Sequence, residues 1–300
     1  MKIDDCFMFF DEEMLLDLRL NIMDKYVDKF VITEATYMHS GRHKKLQFNI
    51  DNYKKFKDKI IYIKIENEPE DLYKINKHDT EEKKNSKKID NAKKREMYQI
   101  NKANEGLINA DANDIIIISD LDEIPNLNEV NFKKVKEKFI FFKQKMYYYK
   151  FNLLYKSLVW YGSKACKKKY LYSPEQLRSS KNKKYPLWRL DVLFSKLKHN
   201  NIYVVENGGW HFSNIKKPEE LEKKMQNFLH HIDYESSGLN AKDLEKLIKE
   251  KRVMYNHALD KKENKWGKGK KLEPSEIKEM PQYIAENLML YQEWLDLDRK

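Results

Sequence analysis

The most constraining feature of this sequence is a run of four isoleucines, residues 115–118, that leads directly into Ser-Asp-Leu-Asp-Glu at 119–123. A short continuous apolar run with polar flanks is typical of a strand buried on both faces, as parallel strands are. Residues two apart in an extended chain point the same way, so Asp120 and Asp122 are predicted to share one side. The acids either solvate the strand end or hold a positive charge there.

The surrounding segments predict an α/β sheet. The order strand, helix, strand, strand, helix, strand leads up to the isoleucine run, and this order is typical of α/β folds. Residues 66–92 are polar and charge-dense, which predicts a loop. Strands are predicted at 3–10, 28–35 and 59–65, and helices at 11–26 and 93–110.

The second half of the chain predicts further strands and then helices. We find no internal repeat and no flexible linker, so the sequence predicts one domain with a helical C-terminal part. Gly208 and Gly209 are expected to interrupt the last strand region. Strands are predicted within 139–154, 190–197 and 201–212, and helices at 218–232, 241–258 and 281–296.

Charge and cysteine content narrow the class of protein. The chain has 59 Lys and Arg residues and 48 acidic residues, which gives a net charge of +11. This charge suits an anionic partner, such as nucleic acid, an acidic membrane or a phosphate-bearing small molecule. A lysine-rich composition of this kind can also reflect an AT-rich genome. Cys6 and Cys166 form neither a disulfide framework nor a metal-ligand motif. No apolar window approaches about 18 residues and no signal peptide is recognisable, so we expect no transmembrane segment and a cytoplasmic location.

The acids after the isoleucine run have a chemical interpretation. Ligands of open α/β sheets bind outside the carboxyl ends of the strands. Two carboxylates on one side suit Mg²⁺ or Mn²⁺, which keeps waters and takes one or two carboxylates together with substrate phosphates. Asp120 and Asp122 therefore predict a cation site that can hold a diphosphate, with a solvated strand end as the alternative.

Several blocks together resemble glycosyltransferase family 17, of the GT-A type. They occur in the family's order and span nearly the whole chain: DLRLNIMDKYVDKFVITEATYMHSGRHKKLQF at 17–48, REMYQINKANEGL at 95–107, DLDEIPN at 120–126, GGWHFSNIKKPEELEKKMQNFLHH at 208–231 and MPQYIAENLMLYQEWL at 280–295. The resemblance implies a Rossmann-like, mixed, mainly parallel sheet flanked by helices. It divides the single domain 1–300 into a nucleotide-binding half at 1–125, an acceptor half at 126–215 and a helical part at 216–300.

The resemblance implies a metal-dependent, inverting transferase that moves a sugar, with N-acetylglucosamine expected, from a UDP-sugar to a glycan hydroxyl. The best-known members add N-acetylglucosamine in β-1,4 linkage to the core mannose of N-glycans. Two alternatives stay open: a basic nucleic-acid-binding protein, and an inactive sugar-binding GT-A domain. Salt-dependent binding of oligonucleotides without metal would favour the first of them.

The resemblance also implies roles for particular residues. Asp120, Asp122 and His211 would bind the metal, and an imidazole ligand favours Mn²⁺ over Mg²⁺. The expected contacts to the UDP-sugar come from cations, aromatics and polar groups: Glu34, Thr36, Lys44, Arg95, Asp120 and Trp210. His230 matches a family histidine for which we have no physical role.

Inversion requires a carboxylate base for the acceptor hydroxyl. Asp191, in the half where acceptor sites are built, is the first candidate. Glu123 and then Glu206 are the next candidates, although Glu123 next to the metal pair could instead support the ligands. Trp188, Trp210 and Tyr161 could stack on sugar rings.

The acceptor is the least determined substrate. We expect no counterpart of the membrane anchor that the animal enzymes carry, and therefore a cytoplasmic enzyme that acts on a lipid-linked or surface glycan precursor. Lysine patches at 167–169 and 181–184 are expected either to contact an anionic membrane peripherally or to be ordinary solvated loops.

Overall fold

The computed structural model describes residues 1–297 except 184, 187, 193, 229–230, 256–265 and 268. The strands are β1 (Ile3–Met8), β2 (Lys29–Ala35), β3 (Ile60–Ile65), β4 (Ile115–Ile118), β5 (Glu123–Pro125), β6 (Phe139–Phe142), β7 (Gln144–Tyr148), β8 (Leu153–Trp160), β9 (Lys164–Lys167), β10 (Ile202–Val205), β11 (Gly209–Ser213) and β12 (Glu273–Pro274). The helices are α1 (Glu13–Met23), α2 (Glu81–Asn101), α3 (Pro174–Ser179), α4 (Pro218–Met225), α5 (His231–Ser237), α6 (Ala241–Lys249), α7 (Gln282–Glu286) and α8 (Leu288–Tyr291). Short 3-10 helices lie at Ile50–Lys59, Lys102–Leu107, Leu127–Glu129, Lys168–Tyr170, Leu190–Val192, Ile277–Glu279 and Gln292–Trp294.

The main sheet is mixed and mainly parallel, as predicted. Its strand order is β10-β6-β9-β4-β1-β2-β3, and β9 is the strand that runs antiparallel to both of its neighbours. β4 lies in the middle and is buried along its whole length. The prediction of a strand buried on both faces at 115–118 is therefore confirmed.

Helices cover both faces of this sheet, and the alternation of β4 shows why the isoleucine run is needed. Ile115 and Ile117 pack in the core formed with α1. Ile116 and Ile118 point the other way and pack with Ile100 of α2 and with α3. An apolar residue is therefore required at every position of this strand, not at alternate ones.

The second sheet has the order β12-β8-β7-β11-β5. β11 runs parallel to β7 and antiparallel to the short strand β5. β5 begins at the last residue of segment 119–123, which we call the acidic turn. α4 and α6 pack on this sheet through Leu221 and Leu244. The second sheet therefore brings β11 and the C-terminal helices to the end of β4.

The main sheet has a topological switch point between β1 and β4. The chain leaves β1 for β2 on one side, whereas β4 pairs in parallel with β1 on the other side, with Cys6 opposite Ile118. The loops after two such strands diverge and leave a crevice between them, which is where ligands of doubly wound sheets bind.

The prediction of a loop at 66–92 and a helix at 93–110 was wrong in its boundaries. α2 begins at Glu81, after Thr80 accepts a hydrogen bond from the Lys83 backbone amide, 3.3 Å away. Glu81 and Glu82 then favour the helix N-terminus electrostatically. The first turns of α2 are largely exposed, so the sequence there has no apolar period to indicate a helix.

Other boundaries also differ from the predictions, and the helix predicted at 281–296 is divided into α7, α8 and the 3-10 helix at Gln292–Trp294. Residues 190–192 form a 3-10 turn rather than a strand, and Leu190 is exposed instead of packing in a sheet. The helix predicted at 218–232 is divided into α4 and α5. The helix predicted at 241–258 ends at Lys249, before Lys251 adopts a positive φ of 53°, and residues 256–258 lie outside the described part.

Candidate active site

A cavity of about 200 Å³ lies at the switch point. Its apolar wall includes Phe9 and Phe10, which come after β1, and Tyr37, which comes after β2. Its polar groups come from α2, from the acidic turn and from α4: Glu96, Gln99, Asp120, Asp122, Lys224 and Asn227. His39 and Glu12 also line it. Apolar walls with a few convergent polar groups are the usual composition of a small-molecule site.

Asp122, which lines this cavity, forms a charged pair with His211. His211 Nε2 lies 3.6 Å from Asp122 Oδ1, and Lys224 Nζ lies 3.9 Å from the other carboxylate oxygen. Burial acts to raise the pKa of Asp122, but the combined effect of His211 and Lys224 outweighs it and lowers the pKa to about 2. Burial acts to lower the pKa of His211, and attraction to Asp122 outweighs it in turn and raises that pKa. Each group therefore favours the charged form of the other.

Asp120, two residues earlier, has a different partner. Arg178 of α3 binds it with both arms of the guanidinium, at 2.9 Å from Nε and 2.6 Å from Nη2. Nη2 of Arg178 also lies 3.4 Å from Glu96. The two aspartates of the turn therefore have different partners. Asp122 faces His211, whereas the charge of Asp120 is neutralised by Arg178.

Glu123 is buried within the turn and holds it in place. Its carboxylate accepts hydrogen bonds from the Asp120 backbone amide at 2.8 Å and from Trp160 Nε1 at 2.6 Å. Gly162 lies so close that a Cβ there would sit 2.2 Å from the Glu123 carboxyl carbon. Burial, with repulsion from Asp120, raises the pKa of Glu123. Its role as a base stays a prediction.

Arg19 of α1 fixes the backbone of the same turn, and sequence reasoning missed it. Its guanidinium is fully buried and pairs with Asp5 of β1 at 2.7 Å and 2.8 Å. The available signal was that Arg19, between Leu18 and Leu20, is the single basic residue of α1. Its other hydrogen bonds all go to the turn: the carbonyl oxygens of Asp120, Leu121 and Glu123, and Ser119 Oγ.

The donor set fits a cation held by two protein ligands. In the described part of the chain, no three His, Cys, Asp or Glu side chains are grouped so as to hold a metal ion. Asp122 and His211 are nevertheless too far apart for a hydrogen bond, and 3.6 Å is within the span of two ligands at about 2.1 Å from one cation. Among the described residues, the buried His211 Nδ1 has no hydrogen-bond partner. The third predicted ligand, Asp120, is bound to Arg178.

Lys44, which was predicted to contact the UDP-sugar, lines the cavity. Glu34, Thr36 and Arg95 were predicted to do the same, but they hold loops. Glu34 is buried and pairs with Lys44. Its carboxylate also accepts hydrogen bonds from the amides of Gln47 and Phe48 at 2.7 Å and 3.1 Å. Thr36 Oγ1 donates to the carbonyl oxygen of Ile65 at 3.4 Å. Glu34 therefore shapes the loop that positions Lys44.

Arg95 acts on the loop that carries His39. Its Nε donates to Glu68 at 2.6 Å and its Nη1 to the His39 carbonyl oxygen at 3.2 Å. The guanidinium covers Gly41, whose φ of +91° favours glycine, and a Cβ there would lie 2.8 Å from Arg95 Nη2. Arg95 is thus placed behind the cavity wall.

Trp210 and Glu206 lie at a different cleft, of about 730 Å³. Trp210 neighbours His211 on β11, so its side chain points to the opposite face of the sheet, where Nε1 donates to the Glu279 carbonyl oxygen at 2.7 Å. Glu206 pairs with Lys143 at 2.6 Å. The structure does not bring these two residues to the Asp122 site.

Asp191 and Trp188 lie on an exposed segment. Hydrogen bonds from Arg189 and then Lys198, each at 2.6 Å in its shortest contact, hold the pKa of Asp191 well below its usual range. Trp188 is largely exposed. Tyr161 is half-buried. His230 lies outside the described residues.

A charged crevice at the switch point of a mixed α/β sheet is where the ligands of open α/β sheets bind. The model of glycosyltransferase family 17 matches residues 1–292, so the chain belongs to this family and is a glycosyltransferase. Comparisons with curated proteins and with solved structures give no match. No helix in the described residues combines the length and the apolar character needed to cross a membrane.

Proposed function

We propose that the protein is a GT-A-type, metal-dependent, inverting glycosyltransferase that moves a sugar from a UDP-sugar to a glycan hydroxyl. N-acetylglucosamine is the proposed sugar, as in the best-known members of the family. The observation that carries the proposal is the charged Asp122–His211 pair, of which Asp122 lines the switch-point cavity beside Lys224.

The cavity suits the two ends of a nucleotide diphosphate. Phe9, Phe10 and Tyr37 offer apolar and aromatic surface to the base, and Lys44 and Lys224 offer charge to the phosphates. Asp122 and His211 would hold Mn²⁺ or Mg²⁺, and such an ion neutralises charge on the departing diphosphate. The residues of the chain would therefore bind the donor with its base against the aromatic wall and its phosphates beside the two lysines.

Arg178 gives the acidic turn a second state. In the structure its guanidinium is bound to Asp120 at two points. A phosphate group, like a carboxylate, can accept two hydrogen bonds from one guanidinium, so Arg178 can exchange Asp120 for a phosphate group. That exchange would release Asp120 to bind the donor or the cation.

The base remains the least supported role. Asp191 is the proposed base, with Glu123 next, and Asp191 would have to move towards the cavity from its exposed segment. Glu96 already lines the cavity. Asp191→Asn and Glu96→Gln therefore test which of these two carboxylates is the base. The variant that removes the base should lose kcat while it retains UDP binding.

The proposed acceptor is a glycan or glycolipid, and the proposed location is the cytoplasm. A panel of nucleotide sugars incubated with Mn²⁺, with released UDP as the readout, tests the proposed function. We expect hydrolysis of UDP-N-acetylglucosamine that EDTA abolishes. Release that is equally fast after EDTA treatment, or with His211→Ala, would contradict the proposal.

A further inference from the structure

One face of the molecule combines exposed large apolar side chains with a dense group of cations. It consists of residues 167–172 and the described residues of 181–198, which we call the basic apolar surface. Trp188, Leu190 and Phe194 are exposed to 76%, 67% and 87%. Side chains of this size normally bury most of their area, so their grouping on one short segment indicates an interaction surface.

Most of the chain's excess charge lies in the same segment. Residues 167–198 contain ten Lys or Arg and two acidic residues, a net charge of +8 out of +11 for the whole chain. Lys169, Lys181, Lys183 and Lys196 are exposed. The apolar side chains therefore belong to a strongly positive segment of the chain.

Several contacts join the two parts of this surface. Lys181 donates its backbone amide to the Leu197 carbonyl oxygen at 2.8 Å. Lys196 Nζ donates to the Tyr172 hydroxyl at 2.7 Å. Lys198 pairs with Asp191 at 2.6 Å. Residues far apart in the segment are thus presented on one face.

We propose that the basic apolar surface docks on the anionic face of a lipid bilayer. Lysines attract acidic headgroups, and an exposed Trp, Leu and Phe can enter the boundary between headgroups and acyl chains. Met289 and Leu290 are also exposed, at 85% and 68%, but residues 286–297 contain acidic residues and no Lys or Arg. Charge complementarity therefore selects the basic apolar surface as the one that an anionic bilayer would bind.

The position of this surface has a consequence for the acceptor. α3 carries Arg178, which contacts Asp120, and the chain enters the basic apolar surface two residues after α3 ends. A docked bilayer would therefore lie near the donor cavity, where it would present a lipid-borne acceptor. This consequence rests on the proposed function, whereas docking itself does not.

Vesicle sedimentation tests the docking with the full chain. Vesicles of phosphatidylcholine alone are compared with vesicles that also contain phosphatidylglycerol. We expect binding to the anionic vesicles that salt weakens, a loss of about fivefold in partitioning for each of Lys181→Gln and Lys183→Gln, and a loss of about tenfold or more in the combined Trp188→Ser, Leu190→Ser and Phe194→Ser variant. The matched control, Met289→Ser with Leu290→Ser, should bind as the wild type does.

Three results would overturn the docking: no binding to anionic vesicles, equal binding by the triple variant, or dissociation of an oligomer by the triple variant without any effect on vesicle binding. Circular dichroism confirms that each variant is folded. UDP binding by the wild type is measured in parallel. UDP binding without vesicle binding removes the docking alone, and vesicle binding without UDP binding removes the proposed function alone.

Discussion

The acidic turn at 119–123 and the basic apolar surface use charge in opposite ways. In the turn, Arg19 is fully buried and its guanidinium is bound to a carboxylate and to backbone carbonyls. On the surface, half of the described cations are exposed and three large apolar side chains lie in solvent. The turn is therefore organised before any ligand arrives, whereas the surface is suited to a partner without fixed geometry.

The largest expected effect comes from removing the buried charge beneath the turn. Arg19→Met leaves Asp5 unpaired in the core, so we expect the free energy of unfolding to fall by about 3–5 kcal/mol. Urea unfolding measures it. The matched control is the exposed Arg42→Met, which should change the value by less than about 0.5 kcal/mol. A loss below about 1 kcal/mol for Arg19→Met would show that the turn does not depend on this network.

The next effect concerns activity rather than stability. Asp122→Asn removes one charge from the pair with His211, and we expect kcat/KM for the donor to fall about a hundredfold or more. Asp111→Asn, at the opposite end of β4 from Asp122, is the control and should retain activity. Near-UV circular dichroism shows whether both proteins are folded. Full activity in Asp122→Asn would place the reaction elsewhere.

Lys164 joins the two regions and provides a pH test. It lies on β9, and its Nζ donates to the Ser180 carbonyl oxygen at 2.7 Å, at the start of the exposed segment. Burial lowers the pKa of Lys164 from 10.5 to about 8. Between pH 8 and pH 10.5 the Lys164 amine is therefore protonated in the unfolded chain and neutral in the folded protein. Because the unfolded chain binds the extra proton, this group makes the free energy of unfolding rise with pH in this range.

Lys164→Met removes that dependence. We expect the wild type to gain about 2 kcal/mol relative to Lys164→Met between about pH 8 and pH 10, measured by urea unfolding at a series of pH values. Parallel curves for the two proteins over this range would mean that Lys164 is not desolvated in the folded protein.

The smallest expected effect sharpens the contrast with the buried turn. Because Trp188 and Phe194 are exposed, Trp188→Ser and Phe194→Ser should each change the free energy of unfolding by less than about 0.5 kcal/mol. Phe142→Ala, in the core, should cost about 3–5 kcal/mol in the same experiment. A large loss of stability in either serine variant would show that the segment packs against the protein.

Sequence reasoning found the features that depend on local patterns. The buried strand at 115–118 and the pair of carboxylates after it were readable because apolar runs and residue spacing are local properties. The boundaries of α2 were not readable, since its exposed first turns carry charge without an apolar period. The strand expected at 190–197 was wrong, and two of its apolar residues, Leu190 and Phe194, face solvent, which no periodicity reveals.

The missing parts of the site depend on contacts between distant residues. Arg178 lies 58 positions from Asp120, and Arg19 lies about a hundred positions from the turn. Lys224 reaches the cavity from a helix packed on the second sheet. A lysine or arginine gives no sign in the sequence of which carboxylate it will meet, so these partners became visible only in the fold.

The central claim is that the switch-point cavity binds a nucleotide diphosphate through Asp122 and His211. Calorimetric titration of UDP in the presence of Mn²⁺ is its most direct test. We predict saturable binding that disappears with EDTA and in Asp122→Asn, and that persists in Asp111→Asn. Unchanged UDP binding by Asp122→Asn would contradict the account.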